Sequence, residues 1–291
     1  MKTIATINFK GGVGKTTATW CLGETISKIP SKKSLIFDLD AQMSLTQAVT
    51  VNEDGTPFKQ FEQWLNQSIS HRKTIFNALD SFTRSTENFD FAVGWDFIYK
   101  ITGQYHFIPA VEDLYWTELD IFDRHSVRDF IRRLLIKIEN SRGIEKYDVA
   151  LFDCPPSFSL LSYSVLSTCD LVLVPINPDF YATKGLNLLL NSLQMRIEPS
   201  PLPKIAVFMN KAKAPGGNSS KKFSNETQKY LEDAKDVVFL ANRKGMKAKV
   251  LETAIPDRVG MKRAVQEGIP PLFKQDFIKL WKEIEGFLNE Q

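Results

Sequence analysis

The sequence predicts a doubly wound α/β fold, in which helices cover both faces of a mostly parallel sheet. Short apolar runs rich in Val, Ile and Phe alternate with stretches that carry apolar residues at helical spacing. The near-continuous apolarity of these runs indicates strands that are buried on both faces. The length of 291 residues, with 43% hydrophobic and 24% charged residues, fits one large domain. We therefore expect a single domain over residues 1–291, with ligands at the carboxyl ends of the strands.

The apolar runs and the helical periodicity give the predicted elements in chain order. The predicted strands are residues 3–8, 34–38, 106–109, 149–153, 171–176, 205–210 and 250–255. The predicted helices are residues 15–28, 126–140, 182–196, 222–234, 257–267 and 274–289. Pro, Gly and Ser in residues 213–220 predict a mobile loop.

The stretch from about 51 to 103 is less regular and unusually aromatic. Its Trp and Phe residues are spread through polar sequence, at Trp64, Phe76, Phe82, Phe89, Phe91, Trp95 and Phe97. This aromatic density argues against a disordered linker, so we expect an ordered elaboration of the core. We favour extra packing as its role, and a dimer or partner surface is the alternative.

Composition and cysteine count exclude several classes of protein. No apolar run approaches the roughly 18 residues of a membrane-spanning helix, and no signal-peptide pattern precedes the first predicted strand. We therefore expect a cytoplasmic protein. Cys21, Cys154 and Cys169 form no CxxC pair, which argues against a disulfide framework or a zinc site. We interpret them as small buried apolar residues; an iron–sulfur or redox role for Cys154 is the weak alternative.

Charge is distributed unevenly along the chain. Residues 204–263 contain 14 Lys and Arg against 6 Asp and Glu, a net charge of +8 in a chain whose total is +3. The remainder therefore carries −5. A basic segment on an otherwise acidic protein indicates an anionic partner on one face, although a solvated charged surface is the plainer alternative.

A phosphate-binding loop follows the first predicted strand and runs into the first predicted helix. It consists of Lys10, Gly11, Gly12, Val13, Gly14, Lys15, Thr16 and Thr17. The glycines let backbone N–H groups turn toward phosphate oxygens, and the helix N-terminus adds its positive dipole end. In this pattern Lys15 holds the β- and γ-phosphates and Thr16 binds Mg²⁺. The sequence therefore predicts a nucleoside triphosphatase that uses ATP and Mg²⁺.

One departure from the general loop pattern points to a family. Phe9 occupies the usual position of the first glycine, and Lys10 follows it. This variant resembles the deviant Walker A box of the ParA/MinD family of ATPases. In that family the early lysine reaches across a nucleotide-sandwich dimer to the phosphates bound by the partner. The resemblance therefore implies that Lys10 acts in trans in an ATP-dependent homodimer.

Two aspartates lie at the end of the second predicted strand. Asp38 and Asp40 are separated by one residue, which places both side chains on the same side of a strand end. Paired carboxylates close to a phosphate loop favour catalysis over helix capping. The element resembles the family's Asp-x-Asp-Pro-Gln, with Ala41 in place of the proline. By resemblance, Asp40 orients the attacking water and Asp38 organises the region around Mg²⁺.

Three further residues match the family pattern. Asp153 ends a buried predicted strand, and a metal partner explains why a buried carboxylate is tolerated there. With Cys154-Pro-Pro156 it resembles the Walker B element, whose aspartate binds Mg²⁺ through water. Asn210 resembles the adenine-contacting asparagine, and Pro256 resembles the segment that closes over the base. The resemblance covers about residues 1–50 and 104–291.

We weighed several functional classes against each other. A ParA-like partition ATPase binds nonspecific double-stranded DNA as an ATP dimer, and a ParB-like adaptor on the cargo triggers hydrolysis. Small members of that family carry DNA-contacting residues in the basic segment, which here implies Arg243, Lys244, Lys247, Arg258, Lys262 and Arg263. Such a protein is nucleoid-associated, and its cargo is plasmid or chromosome DNA or a protein organelle such as the carboxysome.

A MinD-like membrane regulator is the main alternative, because it shares the whole active site. It requires a C-terminal amphipathic helix with a basic polar face. Residues 273–291, which contain the last predicted helix, carry a net charge of −1, so anionic lipid repels this segment, and we expect it to pack on the sheet instead. A metal-cluster reductase lacks its paired cysteines here, and a ligase lacks a recognisable second substrate pocket.

Overall fold

A computed structural model describes residues 1–49, 74–84, 97–102, 105–116, 125–197, 202–215, 223–257 and 271–290. Within these residues eight strands form one sheet in the order β3-β4-β2-β5-β1-β6-β7-β8. The strands are β1 (Lys2–Thr6), β2 (Ser34–Asp38), β3 (Tyr99–Thr102), β4 (Tyr105–Ile108), β5 (Val149–Asp153), β6 (Leu171–Ile176), β7 (Lys204–Met209) and β8 (Ala248–Val250). All neighbours are parallel except β3 and β4.

Helices connect the parallel strands and cover both faces of the sheet. They are α1 (Lys15–Ser27), α2 (Ser44–Val49), α3 (Ile75–Arg84), α4 (Phe130–Asn140), α5 (Leu160–Leu166), α6 (Ala182–Arg196), α7 (Asn225–Arg243) and α8 (Pro271–Asn289). Side chains from α1 and α8 pack in one apolar core, and side chains from α3 to α7 pack in the other. The predicted doubly wound α/β fold is therefore confirmed.

The central strand β5 shows why the strand sequences are almost wholly apolar. Its five residues are all buried, and successive side chains enter opposite cores. Leu151 packs with the α1 and α8 side of the sheet, whereas Phe152 packs with the other side and stacks on Phe37, with the ring centroids 4.6 Å apart. Burial of each such side chain stabilises the fold by about 1.5–3 kcal/mol.

Several predicted boundaries differ from the structure. The predicted strand at 250–255 is displaced, because β8 ends at Val250. The helix predicted at 222–234 is α7, which extends to Arg243. Its start is fixed by Ser224, whose side chain accepts a hydrogen bond from Thr227 N at the helix N-cap. The predicted helix at 257–267 lies outside the described residues apart from Asp257.

The described parts of the aromatic stretch are packed into the core. Phe82 on α3 and Phe97 before β3 are 1% and 0% exposed, so both contribute to packing. Strand β3 was not predicted from the sequence; it pairs antiparallel with β4 at the edge of the sheet. Trp64, Phe89, Phe91 and Trp95 lie outside the described residues, as does most of the predicted loop at 213–220.

The last helix packs against the body of the domain, as predicted. On α8 the apolar side chains of Phe277, Leu280, Trp281 and Ile284 are buried beside α1. Among the described helices, none combines the length and apolarity needed to cross a bilayer. The three cysteines are buried, as predicted.

Candidate nucleotide-binding site

The loop between β1 and α1 has the conformation that exposes backbone N–H groups. Gly12 and Gly14 have φ angles of 70° and 91°, in the left-handed region that side chains rarely adopt. Helix α1 begins at Lys15, and Gly14 O accepts its first helical hydrogen bond from Ala18 N at 2.9 Å. The N–H groups of the first turn of α1 have no helical partner, so they are available to an anion.

Asn210 fixes this loop from the end of β7. Its Nδ2 donates a hydrogen bond of 2.7 Å to the carbonyl oxygen of Val13. The same Nδ2 atom lies 2.3 Å from the position that a Cβ on Gly14 would occupy. The close contact therefore requires glycine at position 14, both for its positive φ and for space.

A cavity of about 640 Å³ opens beside the loop at the carboxyl edge of the sheet. It is lined by Gly11, Gly12, Gly14, Lys15, Thr16, Thr17, Asp40, Gln42, Ser44, Gln47, Pro156, Asn210, Lys211, Pro256 and Asp257. The structure thus brings the predicted loop except Lys10 and Val13, together with Asp40, Asn210 and Pro256, to one cavity of a size that suits a small-molecule ligand. Gln42, Ser44, Gln47, Lys211 and Asp257 were missed, because only their proximity to predicted residues along the chain could have indicated them.

Lys15 lies buried at the inner end of the cavity. Burial lowers the pKa of its ammonium, and the nearby carboxylates of Asp153 and Asp40 act in the opposite direction. A buried cation is stabilised by anionic partners, which in this cavity are carboxylates and any bound phosphate. The role of Lys15 in binding phosphate stays a prediction, and its position on the cavity wall is compatible with it.

Asp153 is a buried carboxylate with no hydrogen-bond donor in normal geometry. It is 1% exposed, and no described residue donates to either carboxylate oxygen in full hydrogen-bond geometry, while the Thr16 side chain is close enough to interact with it. Burial raises the pKa of Asp153 well above its ordinary value, the neighbouring Asp38 raises it further, and the nearby Thr16 and Lys15 lower it. Such a carboxylate is costly unless a cation or a donor completes the site. These residues fit a Mg²⁺ ion.

Asp38 is the in-register neighbour of Asp153 across β2 and β5. One of its oxygens accepts hydrogen bonds of 2.7 Å from both Thr46 N and Thr46 Oγ1, and the other accepts from Asp40 N at 3.1 Å. Burial raises the pKa of Asp38 to about 7, while these hydrogen bonds lower it. Asp38 is fully buried and organises the turn into α2; like Asp153, it lies behind the residues that line the cavity.

Asp40 lies on the cavity wall, one turn before α2. Its Oδ1 accepts a hydrogen bond of 3.0 Å from Gln42 N, and its backbone oxygen accepts one of 2.8 Å from Met43 N. Met43 has a φ of 57°, so the turn is tight. The turn therefore orients the Asp40 carboxylate toward the cavity. There its negative charge acts to raise the pKa of Lys15.

Lys10 is held within its own chain. Its ammonium forms an ion pair with Asp179, in the loop between β6 and α6, and lies 5.8 Å from the centroid of the Tyr181 ring. Asp179 is itself positioned, because its Oδ1 accepts a hydrogen bond of 3.0 Å from Tyr181 N. The predicted contact of Lys10 with a second subunit therefore requires this ion pair to open.

The predicted DNA-binding residues fall into two groups. Arg243, Lys244 and Lys247 are exposed between the end of α7 and the start of β8. They lie at the amino end of the parallel strands, whereas the cavity lies at the carboxyl end. The Lys244 carbonyl accepts from Gln194 Nε2 at 3.0 Å, which brings the end of α6 alongside. The second group, Arg258, Lys262 and Arg263, lies outside the described residues.

The sheet topology and the glycine loop at the N-terminus of α1 define a P-loop nucleoside triphosphatase. A family model described as an AAA domain matches residues 1–200. The chain is 25% identical over 269 residues to the chromosome-partitioning ATPase Soj of Treponema pallidum (strain Nichols), covering 92% of this chain and 88% of that protein. It is 28% identical over 194 residues to the sporulation initiation inhibitor protein Soj of Bacillus subtilis (strain 168), covering 67% of this chain and 65% of that protein.

Solved structures share the fold across the whole chain. An ATP complex of Cyanothece McdA superposes with a TM-score of 0.72 at 18% identity, covering 100% of this chain and 97% of that chain. The pNOB8 ParA bound to nonspecific DNA superposes with a TM-score of 0.70 at 23% identity, covering 100% and 99%. The chain therefore belongs to the matched family, as a partition ATPase of the ParA/MinD type.

Proposed function

We propose that the protein hydrolyses ATP in the cavity beside the glycine loop, with Mg²⁺ as cofactor. The observation that carries the proposal is the Asp153 carboxylate, which is buried next to Lys15 and Thr16 and receives no hydrogen bond of full geometry from the described residues. Thr16 and Asp153 would hold the metal, Asp153 through water. Bound Mg²⁺ supplies charge that stabilises the phosphoryl group in the transition state.

Other residues bind the phosphates, activate the attacking water and receive the base. Lys15 and the N–H groups of the loop bind the β- and γ-phosphates and stabilise the charge that develops on them. Asp40 holds the attacking water and accepts its proton, since its carboxylate faces the cavity. Asn210 and Pro256 receive the adenine at the other end of the cavity, while Asp38 keeps the turn that carries Asp40 in place.

The active form in this proposal is a homodimer with ATP bound between the subunits. Lys10 leaves Asp179 and binds the phosphates held by the other subunit, because the phosphate charge exceeds that of one carboxylate. Hydrolysis removes that attraction, so the dimer separates. A nucleotide-dependent dimer then acts as the switch of the cycle.

The cargo side of the proposal is DNA-based positioning. Exposed cations at the ends of α6 and α7, namely Arg196, Arg243, Lys244 and Lys247, can neutralise phosphates of nonspecific duplex DNA. The neighbouring pNOB8 ParA structure holds nonspecific DNA, which supports this assignment. An adaptor on the cargo then stimulates hydrolysis and release, so the protein partitions a plasmid, a chromosome or a protein organelle along the nucleoid.

The test measures phosphate release and the affinity for MgATP, for the full chain and for its Lys15→Met variant. Methionine keeps the length of the side chain and removes its charge. We expect slow release from the wild type and loss of nucleotide affinity of about 100-fold or more in the variant, since hydrogen bonds to charged groups contribute about 1.5–3 kcal/mol each. Lys28→Met, at the far end of α1, is the control. Unchanged affinity in Lys15→Met contradicts the proposal.

A further inference from the structure

Lys211 crosses the mouth of the cavity instead of extending into water. It directly follows Asn210 at the end of β7, and its Nζ donates a hydrogen bond of 2.7 Å to the carbonyl oxygen of Gly12. Its φ of 52° lies in the left-handed region, which non-glycine residues rarely adopt. Both the backbone and the tip of the side chain are therefore held, so the methylene stem has a defined path along the cavity wall.

The adjoining segment of the cavity wall is fixed to the same strand end. Ala212 N donates to Ile255 O at 2.9 Å, and Asp257 N donates to Ala212 O at 3.0 Å. These hydrogen bonds form a parallel bridge between Ala212 and Pro256. The segment with Pro256 is therefore locked beside the segment with Lys211, and both line the same cavity.

Lys211 differs from Lys15 in what surrounds it. Lys15 is buried beside the carboxylates of Asp153 and Asp40, at the phosphate end. The ammonium of Lys211 is bonded to a neutral backbone carbonyl, and its neighbours on the cavity wall include Asn210 and Pro256. A long side chain anchored at its tip presents an apolar stem.

We propose that the methylene stem of Lys211 forms one wall of the slot for the nucleobase. The inference rests on the proposed ATP binding. The hydrogen bond from Nζ to Gly12 O holds the stem across the slot, and the ring of Pro256 contributes to the same slot. Packing against the flat face of a base is tolerant of base identity, so Lys211 adds affinity without selecting between adenine and guanine.

The competing role for Lys211 is a second phosphate ligand, in which its ammonium leaves Gly12 for the nucleotide. The two roles predict different behaviour toward a ligand that has phosphates and no base. Inorganic tripolyphosphate with Mg²⁺ is such a ligand. Its affinity depends on Lys211 only if the ammonium contacts phosphate.

The experiment measures binding of MgATP, MgGTP and Mg-tripolyphosphate by isothermal titration to the full chain and its variants. Lys211→Ala removes the stem, and Lys211→Met keeps most of it. Because the stem is the part that packs on the base, Lys211→Ala should weaken ATP and GTP about tenfold alike, which corresponds to about 1.4 kcal/mol. It should leave tripolyphosphate unchanged, while Lys211→Met retains most of the affinity. Lys213→Ala, an exposed lysine paired with Glu226, is the matched control.

The outcomes separate the inference from the function on which it rests. Equal weakening of ATP and tripolyphosphate in Lys211→Ala overturns the inference, as does wild-type affinity for all three ligands. Failure of the wild type to bind MgATP contradicts the proposed function itself. If Lys211→Ala does not fold, as judged by thermal melting, Lys211→Gly replaces it, because glycine accepts the left-handed backbone without cost.

Discussion

Asn210 and Gly14 are in such close contact that a methyl group on Gly14 would lie 2.3 Å from Asn210 Nδ2. Gly14→Ala should therefore displace Asn210 from Val13 O and strain a backbone with φ 91°. We expect a loss of at least about 1 kcal/mol in the free energy of unfolding, together with weaker nucleotide binding. Denaturant unfolding and titration with MgATP measure the two effects. Gly185→Ala, on α6 with open space around it, is the control; equal stability of the two variants contradicts the contact.

Asp153→Asn should abolish metal binding and should stabilise the nucleotide-free protein. Because burial raises the pKa of Asp153 above its ordinary 3.8, the folded state binds the proton more tightly than the unfolded chain. This contribution to stability is present at low pH and is lost as the pH rises above 3.8. The variant should melt at a higher temperature than the wild type in EDTA above neutral pH, where the cost of the buried charge is largest.

The same variant should no longer be stabilised by MgATP. The wild type should gain melting temperature when Mg²⁺ is added with ATP, since ligand binding to the folded state stabilises it. Asp236→Asn on the exposed face of α7 is the control. A wild-type response to MgATP in Asp153→Asn refutes its assignment as a metal residue.

Asp40→Ala should leave ATP bound and stop hydrolysis. Its carboxylate faces the cavity and is the proposed partner of the attacking water, whereas the loop that binds phosphate is unaltered. General-base catalysis contributes about 10²–10⁴-fold, so phosphate release should fall by that factor. Light scattering with MgATP should show a persistent dimer. Normal phosphate release from the variant rules out the catalytic role.

Lys10→Ala should separate ATP binding from dimerisation. Lys10 pairs with Asp179 in the single chain, so its loss should change ATP affinity of the monomer little. The dimer should weaken, because the proposed partner of Lys10 is the nucleotide of the other subunit. Light scattering in the Asp40→Ala background measures this directly, with Lys184→Ala on α6 as the control. A dimer of unchanged stability shows that Lys10 makes no contact in trans.

The sequence predicted the fold and the phosphate end of the cavity better than the base end. Strands β2, β5 and β6 were located to the residue, because a strand covered on both faces is almost wholly apolar. Most of the predicted loop and Asp40 line one cavity, because their spacing along the chain is local; their roles stay predictions. Lys211 was missed although it follows Asn210 directly, because its contact with Gly12 O joins segments that are distant in sequence.

Other features also depend on contacts that a sequence pattern does not contain. The ion pair of Lys10 with Asp179 joins two loops that are 169 residues apart in the sequence. The edge strand β3 is short and pairs irregularly with β4, so its alternation is too brief to recognise. Arg243 and Lys247 lie away from the cavity because they precede β8, which runs parallel to β7 and therefore starts at the amino end of the strands.

The exposed position of Arg243 and Lys244 leads to a prediction about DNA binding. Reversal of Arg243 and Lys244 to Glu should weaken binding to all duplex sequences about equally, because contacts to the phosphate backbone carry no base information. ATP affinity should be unchanged, since these residues lie at the sheet edge away from the cavity. Reversal of both Lys229 and Lys235 to Glu, earlier on the same helix, is the control matched for charge.

The central claim, that ATP converts the protein into a DNA-binding dimer, is tested most directly by fluorescence anisotropy of an arbitrary labelled duplex titrated with the wild-type protein. Titrations with MgATP, MgADP and no nucleotide are compared at two salt concentrations. We predict much tighter binding with MgATP, since a dimer presents two basic surfaces to one duplex. Affinity should fall with salt at a log–log slope of about −0.9 for each neutralised phosphate. Binding that is equal with and without ATP, or insensitive to salt, would contradict the account.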